Sequence, residues 1–341
     1  MKRGKIMKKS IFIALTIFFI GAVSIFAQTP VVSPTPPSTS NPTPVVSQTP
    51  KPLLNRILDE TQKESENYRE TFKNLLADEL KTFEEFDKKG NSDKRATVKS
   101  SFLVYQSGKS AKTTAELRNV LEVNGKLIPD SQKRGEEFLA ELDKQTTLES
   151  ELKKLEKESS KYDNSWTVYG LTLNEAVSLA PNLRPNFDFK LIGTENYQGN
   201  EIYVVSYQQT KKSANISIDN KNLSPDEFYL SFGLDLPGAL KKEGVFLRGK
   251  LWIDTKTFQI WREEQELTAQ IAQPLVILST IFEYQTSDYG ILVPKNIALT
   301  VYNTKKDGGK YMTVKDATIG FEYSKFRQTN VDVKILDEET E

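Results

Sequence analysis

Residues 245–270 read VFLRGKLWID-TKT-FQIWREEQELTAQ, from Val245 to Gln270. Apolar and polar residues alternate on both sides of Thr255-Lys256-Thr257, the period of two that puts successive side chains on opposite faces of a strand. The segment therefore reads as a β-hairpin, and it sets the frame for its neighbours. Downstream, Leu275–Thr286, Ile291–Asn303, Tyr311–Tyr323 and Val331–Leu336 repeat the alternation. Asp288-Tyr289-Gly290 and Asp307-Gly308-Gly309 separate consecutive runs tightly enough for hairpins. Upstream, Phe187–Ile192 and Glu201–Gln208 pair around Tyr197-Gln198-Gly199-Asn200. Ala96–Gln106 and Thr114–Val123 are two further strands. Sequential strands without long intervening helices predict an antiparallel meander of nine to eleven strands.

Helical patterns lie outside this meander. Apolar residues from Leu53 to about Lys88 recur at three- and four-residue steps and predict a long N-terminal helix ended by Gly90-Asn91; the stripe is interrupted at Thr61 to Ser65, which reads as a first half exposed or extending from the body. Asp130–Lys161 reads as a charged helical insertion with a thin apolar seam. Thr172-Leu173-Asn174-Glu175 and Ser224-Pro225-Asp226-Glu227 are capping boxes that predict short helices over 172–180 and through about Phe232. Pro237–Lys242 predicts one more helical turn.

A sheet of this many strands curls and must bury one face. Leu251 with Ile253, Phe282 with Tyr284, Leu299 with Val301 and Phe321 with Tyr323 are i,i+2 pairs that share a side. The residues expected to line the sheet are Leu251, Ile253, Ile260, Phe282, Leu299, Val301 and Phe321. Leu173, Val177 and Phe228 are expected to face them from short helices plugging the curl. Such a plugged groove binds acyl chains or amphipathic partners if the plug moves; a closed, dry core is the alternative. Trp252 falls on the opposite face from Leu251 and Ile253 and reads as packing. Asp254 reads as a turn starter, and Arg262 as a partner for a neighbouring carboxylate.

The N-terminal segment reads as a targeting signal. Lys2, Arg3, Lys5, Lys8 and Lys9 precede an apolar run of 16 residues, Ile11–Phe26, and Ala27 supplies a small residue. Residues 1–27 therefore read as a secretory signal peptide cut after Ala27, with an uncleaved inner-membrane anchor as the alternative. Residues 28–52 contain eight prolines among 25 and read as a Pro/Ser/Thr-rich linker, leaving 53–341 as the folded domain. Periplasmic or secreted localisation follows.

Composition removes whole classes of function. The 341 residues include no Cys and no His, so thiol nucleophiles, disulfides, imidazole bases and thiolate zinc sites are excluded. Basic and acidic residues number 46 each. Cleavage after Ala27 would take away five positive charges and no negative one, giving a net charge of −5 and no nucleic-acid footprint. Glu263, Glu264 and Glu266 could in principle serve glycoside hydrolysis, but Glu263 and Glu264 point to opposite strand faces, and acidic clusters commonly sit on solvated ones. Ser150-Glu151-Leu152-Lys153 lacks the companion motifs of a penicillin-recognising enzyme. Asp219-Asn220-Lys221-Asn222 lacks the ligand alternation of a calcium loop. No enzyme activity, cofactor or metal is expected.

Several stretches also resemble a known family. Gly249-Lys250-Leu251-Trp252-Ile253-Asp254, followed by Thr257 and Ile260-Trp261-Arg262, resembles a hairpin of outer-membrane lipoprotein-sorting-like proteins, relatives of the LolA/LolB carriers. Leu183-Arg184-Pro185-Asn186-Phe187, Gly193-Thr194-Glu195, Leu292-Val293-Pro294 and Tyr323-Ser324-Lys325-Phe326 are similar to flanking parts of the same pattern. The resemblance spans roughly residues 95–336. It implies an α+β fold, a half-open antiparallel β-barrel with a helical lid over an apolar cavity. It also implies a non-enzymatic carrier whose partner is a lipid, acyl chain or lipoprotein. The linker, the long N-terminal helix and the charged insertion depart from the pattern. An envelope sensor or an envelope-bound lipid-binding role is as compatible as lipoprotein shuttling, and the alternative is a protein–protein interaction module with a closed core and no ligand, docking on an envelope membrane or protein.

Overall fold

The computed structural model describes residues 9–14, 51–71, 75–107, 113–143, 161–162, 166–168, 176–218, 229–232, 234, 236–271 and 273–328. Its main body is an antiparallel sheet of 11 strands. In chain order these are β2 (Leu75–Phe86), β3 (Ser92–Ser107), β4 (Thr113–Val123), β5 (Lys126–Leu127), β7 (Phe187–Tyr197), β8 (Asn200–Gln209), β11 (Val245–Asp254), β12 (Ile260–Ala269), β13 (Leu275–Thr286), β14 (Leu292–Asp307) and β15 (Lys310–Gln328). Their spatial order is β5-β4-β3-β2-β15-β14-β13-β12-β11-β8-β7, with the two ends unpaired to each other. The architecture is thus a curled, half-open barrel made of two meanders, β2–β5 and β11–β15, joined where β15 pairs with β2, and of the β7–β8 hairpin, which adds to β11.

The strand register carries one row of side chains across eight strands. Val205, Leu251, Glu263, Phe282, Ile297, Phe321, Lys81 and Val98 are successive cross-strand partners. The next row is Tyr207, Gly249, Gln265, Thr280, Leu299, Ile319, Phe83 and Ala96. Most of these residues are buried, and the apolar ones belong to a single core cluster, which identifies the inner face. On the outer face, Ile202, Val204 and Trp252 form a small separate cluster with Tyr197 and Trp261. Trp252 Nε1 donates to Glu195 Oε1 at 2.6 Å.

A covering layer closes the inner face. Helix α1 (Lys51–Thr71) places Ile57, Leu58, Thr61, Ser65 and Tyr68 on its buried stripe. Tyr68 meets Tyr284 of β13 edge to face, with centroids 6.0 Å apart. Two 3₁₀ turns, Val177–Leu179 and Arg184–Asn186, follow in a largely buried segment. Arg184 ties this segment to α1: its guanidinium donates to Asp59 Oδ1 at 2.7 Å and to Gln62 Oε1 at 2.8 Å. A second, four-stranded sheet has the order β6-β1-β10-β9, from β6 (Trp166–Val168), β1 (Lys9–Ala14), β10 (Tyr229–Phe232) and β9 (Ile216–Ser217). Its Val168, Ile216, Leu230 and Phe232 join the main core. Helix α2 (Ser131–Asp143) packs beside β4, and α3 (Gly238–Glu243) inserts Leu240 into the core.

Four sequence expectations are corrected. The long helix stops at Thr71, and Leu75–Phe86 is a strand. Its inward positions 75, 77, 79, 81 and 83 include Glu79 and Lys81, so the buried face does not read as apolar, and the remaining apolar residues mimic a helical stripe. The interruption at Thr61 to Ser65 lies on the buried face of α1, because two small side chains fit close to the core. The capped helix over 172–180 is only a 3₁₀ turn within its described part. Residues 229–232 are a strand because they pair with β1 and β9. The capping boxes themselves, residues 144–160 of the charged insertion, and Val331–Leu336 lie outside the described residues.

Candidate functional site

The site that the fold offers is the interface between the inner sheet face and its cover. Leu251, Ile253, Ile260, Phe282, Leu299, Val301 and Phe321 all fall on that face within one core cluster, each at most 1 % exposed. Val177 meets them from the covering segment and is fully buried. Leu173 and Phe228 lie outside the described residues. The sheet lining is therefore brought together, and it is covered by the protein's own side chains.

Period-two reasoning also places polar side chains there. Leu267 points inward, so Gln265 and Glu263 do as well. Glu263 is fully buried, which corrects its expected place in a solvated acidic cluster. Its Oε1 accepts the Tyr207 hydroxyl at 2.7 Å and Gln265 Nε2 at 3.3 Å. Its Oε2 accepts the backbone N–H of Ala176, in the covering segment, at 3.3 Å. Burial pushes the Glu263 carboxyl up to about 7, against the opposing pull of these hydrogen bonds. The Tyr207 phenol is held well above its ordinary value by burial and by the Glu263 charge, so it stays a donor. Gly249 makes this geometry feasible. A Cβ at that position would lie 2.5 Å from the Tyr207 hydroxyl and 2.0 Å from the Glu264 carbonyl oxygen.

A second polar group lies toward the other end of the inner face. Arg118 Nε donates to both Glu79 oxygens, at 2.8 and 3.0 Å, and its Nη2 donates to Glu116 Oε2 at 3.0 Å. Burial opposes the Arg118 charge, but Glu79 and Glu116 more than offset it and hold its pKa well above the usual value. Its guanidinium lies 4.8 Å from the centroid of the Phe102 ring. Lys81 Nζ lies 5.8 Å from the centroids of both Phe83 and Phe321. This group is charge-balanced and reads as structural.

The cover itself carries loose ends. Thr61 Oγ1, Ser65 Oγ and Ser178 Oγ are buried without a hydrogen-bond partner among the described residues. On the outer face, a groove of ≈ 680 Å³ is lined by Asp188, Lys190, Arg248, Lys250, Glu264 and Glu266 among others, with its charges balanced. Arg262 pairs with Glu264 at 2.8 Å and with Glu283 at 2.6 Å, and Asp254 Oδ1 accepts the Lys256 and Thr257 N–H groups at 2.8 Å, as the sequence predicts. Among the described residues no cluster of three or more carboxylates offers a metal site, and no helix is long and apolar enough to cross a membrane.

Fold and site together define a half-open antiparallel β-barrel with an apolar inner face under a helical cover. No protein-family model and no curated protein sequence matches the chain. Among solved structures, the chain is similar to a DUF1329 family protein from Desulfovibrio piger, at 10 % identity and TM-score 0.32, over 81 % of this chain and 93 % of that one. An outer membrane lipoprotein-sorting protein domain from Vibrio parahaemolyticus matches at 11 % and 0.31, over 83 % and 95 %. A LolA superfamily protein from Nitrosomonas europaea matches at 10 % and 0.31, over 81 % and 93 %.

Proposed function

We propose that this chain is an exported, non-enzymatic binding protein. It holds an acyl chain, a lipid or the lipid part of a lipidated protein between the inner sheet face and its cover, as a carrier or an envelope sensor. The supporting observation is the division of the core into two layers. One is a continuous, hydrogen-bonded sheet presenting Leu251, Phe282, Leu299 and Phe321. The other is a separate cover held to it by side-chain packing and the Glu263–Ala176 bond, with Thr61, Ser65 and Ser178 hydroxyls that gain no partner among the described residues. A cover attached in this way can lift without breaking a strand ladder. The sequence resemblance to lipoprotein-sorting proteins supports the same reading.

A second reading has one observation in its favour. The lining residues are at most 1 % exposed, as in a protein interaction module with a permanently closed core. Native mass spectrometry of the exported protein, recovered without detergent, separates the two. A stoichiometric phospholipid or acyl species is expected. A clean apo mass together with no uptake of a fluorescent fatty-acyl probe would refute the carrier reading. The same spectrum places the N terminus at Gln28 if the signal is cut, or shows the retained segment that contains β1.

A further inference from the structure

Glu263 has a chemical consequence for what the site can hold. Among the described residues, the inward rows of β8 and β11–β14 carry no other charge. Its neighbours along the row are Leu251 and Phe282. Lys81 is in the same row but four strands away, or about 19 Å at the usual strand spacing. Burying a carboxylate is costly without a compensating cation, and none is supplied among the described residues.

The two carboxylate oxygens differ. Oε1 is held by Tyr207 and Gln265, both in the sheet. Oε2 faces the cover, where its single partner among the described residues is the Ala176 N–H at 3.3 Å. That bond comes from a residue with left-handed φ of 50°, at the start of a 3₁₀ turn. When the cover lifts, Oε2 loses its donor while Tyr207 and Gln265 stay in place. The sheet then presents a preorganised anionic acceptor surrounded by apolar side chains.

We infer that this acceptor receives the headgroup of an amphiphile bearing a primary amine, whose ammonium replaces the Ala176 N–H on Glu263 Oε2 while its alkyl chain lies along the inner face. The inference rests on the acyl-binding reading above and names the headgroup that the site selects. An ammonium supplies both the missing cation and a charge-assisted hydrogen bond. A fatty-acid carboxylate would instead meet a like charge.

The test compares dodecylamine, dodecanol and dodecanoate binding to the exported protein by calorimetry at pH 8. The amine is expected to bind at least about tenfold more tightly than the alcohol, the effect of one charge-assisted hydrogen bond, with dodecanoate weakest. Glu263→Gln is expected to bring the amine down to the alcohol's affinity. If that variant fails to fold, the unmodified protein still decides: amine affinity should rise with pH through about 7 while alcohol affinity stays flat. Vesicles of phosphatidylethanolamine or phosphatidylcholine distinguish the amine's source, since transfer from the former alone marks a phospholipid headgroup. Equal affinities for the three probes would overturn the inference and leave the acyl-binding reading standing. Binding of none would overturn both.

Discussion

Glu263 shows how a single residue couples burial to stability. Its carboxyl titrates at about 7 when folded, against an ordinary 4.5. Below pH 4.5 it is protonated in folded and unfolded chains alike, and its contribution is fully present. Between 4.5 and 7 the folded chain keeps a proton that the unfolded chain releases, so stability falls as pH rises. The total loss is roughly 3 kcal/mol. The groups around it on the packed elements are Tyr207, Gln265, Leu251, Phe282 and the uncharged Ala176–Leu183 segment, while Arg184 is turned to Asp59. Chemical denaturation across pH 4–8 is therefore expected to show this negative slope in the native protein and a flatter one in Glu263→Gln. An unchanged slope in the variant would assign the effect elsewhere. That Glu263 faces inward is legible from Leu267 and Gln265. That nothing cationic meets it among the described residues is not, because its neighbours come from β8, β13 and residue 176.

At the scale of elements, α1 carries two of the buried hydroxyls that lack a partner among the described residues. Its stripe combines Ile57, Leu58 and Tyr68 with Thr61 and Ser65, whose hydroxyls have no partner among the described residues. An unsatisfied buried hydroxyl costs about 1–3 kcal/mol, so Thr61→Val and Ser65→Ala are each expected to raise stability by about 1 kcal/mol. If α1 is the part that lifts, both should also slow uptake of a fluorescent acyl probe. Stabilisation with unchanged uptake would place the moving part elsewhere. The opposite sign is expected at Arg118. Arg118→Met leaves the buried Glu79 and Glu116 without their guanidinium and should cost about 3–5 kcal/mol in urea denaturation. A loss below 1 kcal/mol would show that the carboxylates relax to other partners. These elements also explain the misread strand β2. Alternation predicts a strand only when inward residues are apolar, and Glu79 and Lys81 are inward because Arg118 on β4 and the Phe321 ring on β15 await them, with the Phe83 ring beside Lys81 on β2 itself.

At the scale of the molecule, β15 is the keystone, pairing with β14 on one side and β2 on the other. The residues joined across the second pairing lie more than 200 positions apart, as Ile319 and Phe83 do. Such separations slow folding, since the loop must close before its contacts form. A chain ending before Lys310 would leave the β2–β5 meander detached from the rest. The full chain is expected to unfold in one cooperative transition by circular dichroism and the truncated chain to lose it, whereas two preserved transitions would show that the meanders fold independently.

By itself, the sequence determined the period-two strands from Val245 onward, the hairpin turns, the inward set from Leu251 to Phe321, the outward Trp252 and the turn role of Asp254. Each is a local consequence of alternation or of side-chain reach to the adjacent backbone. The tertiary structure alone decided that Leu75–Phe86 is a strand, that 229–232 joins a second sheet, that α1 buries the face with Thr61 and Ser65, and that Glu263 lies uncompensated against Ala176. Those outcomes depend on partners tens to hundreds of residues away, and local periodicity carries no information about which distant side chain will neutralise a charge or complete a ladder.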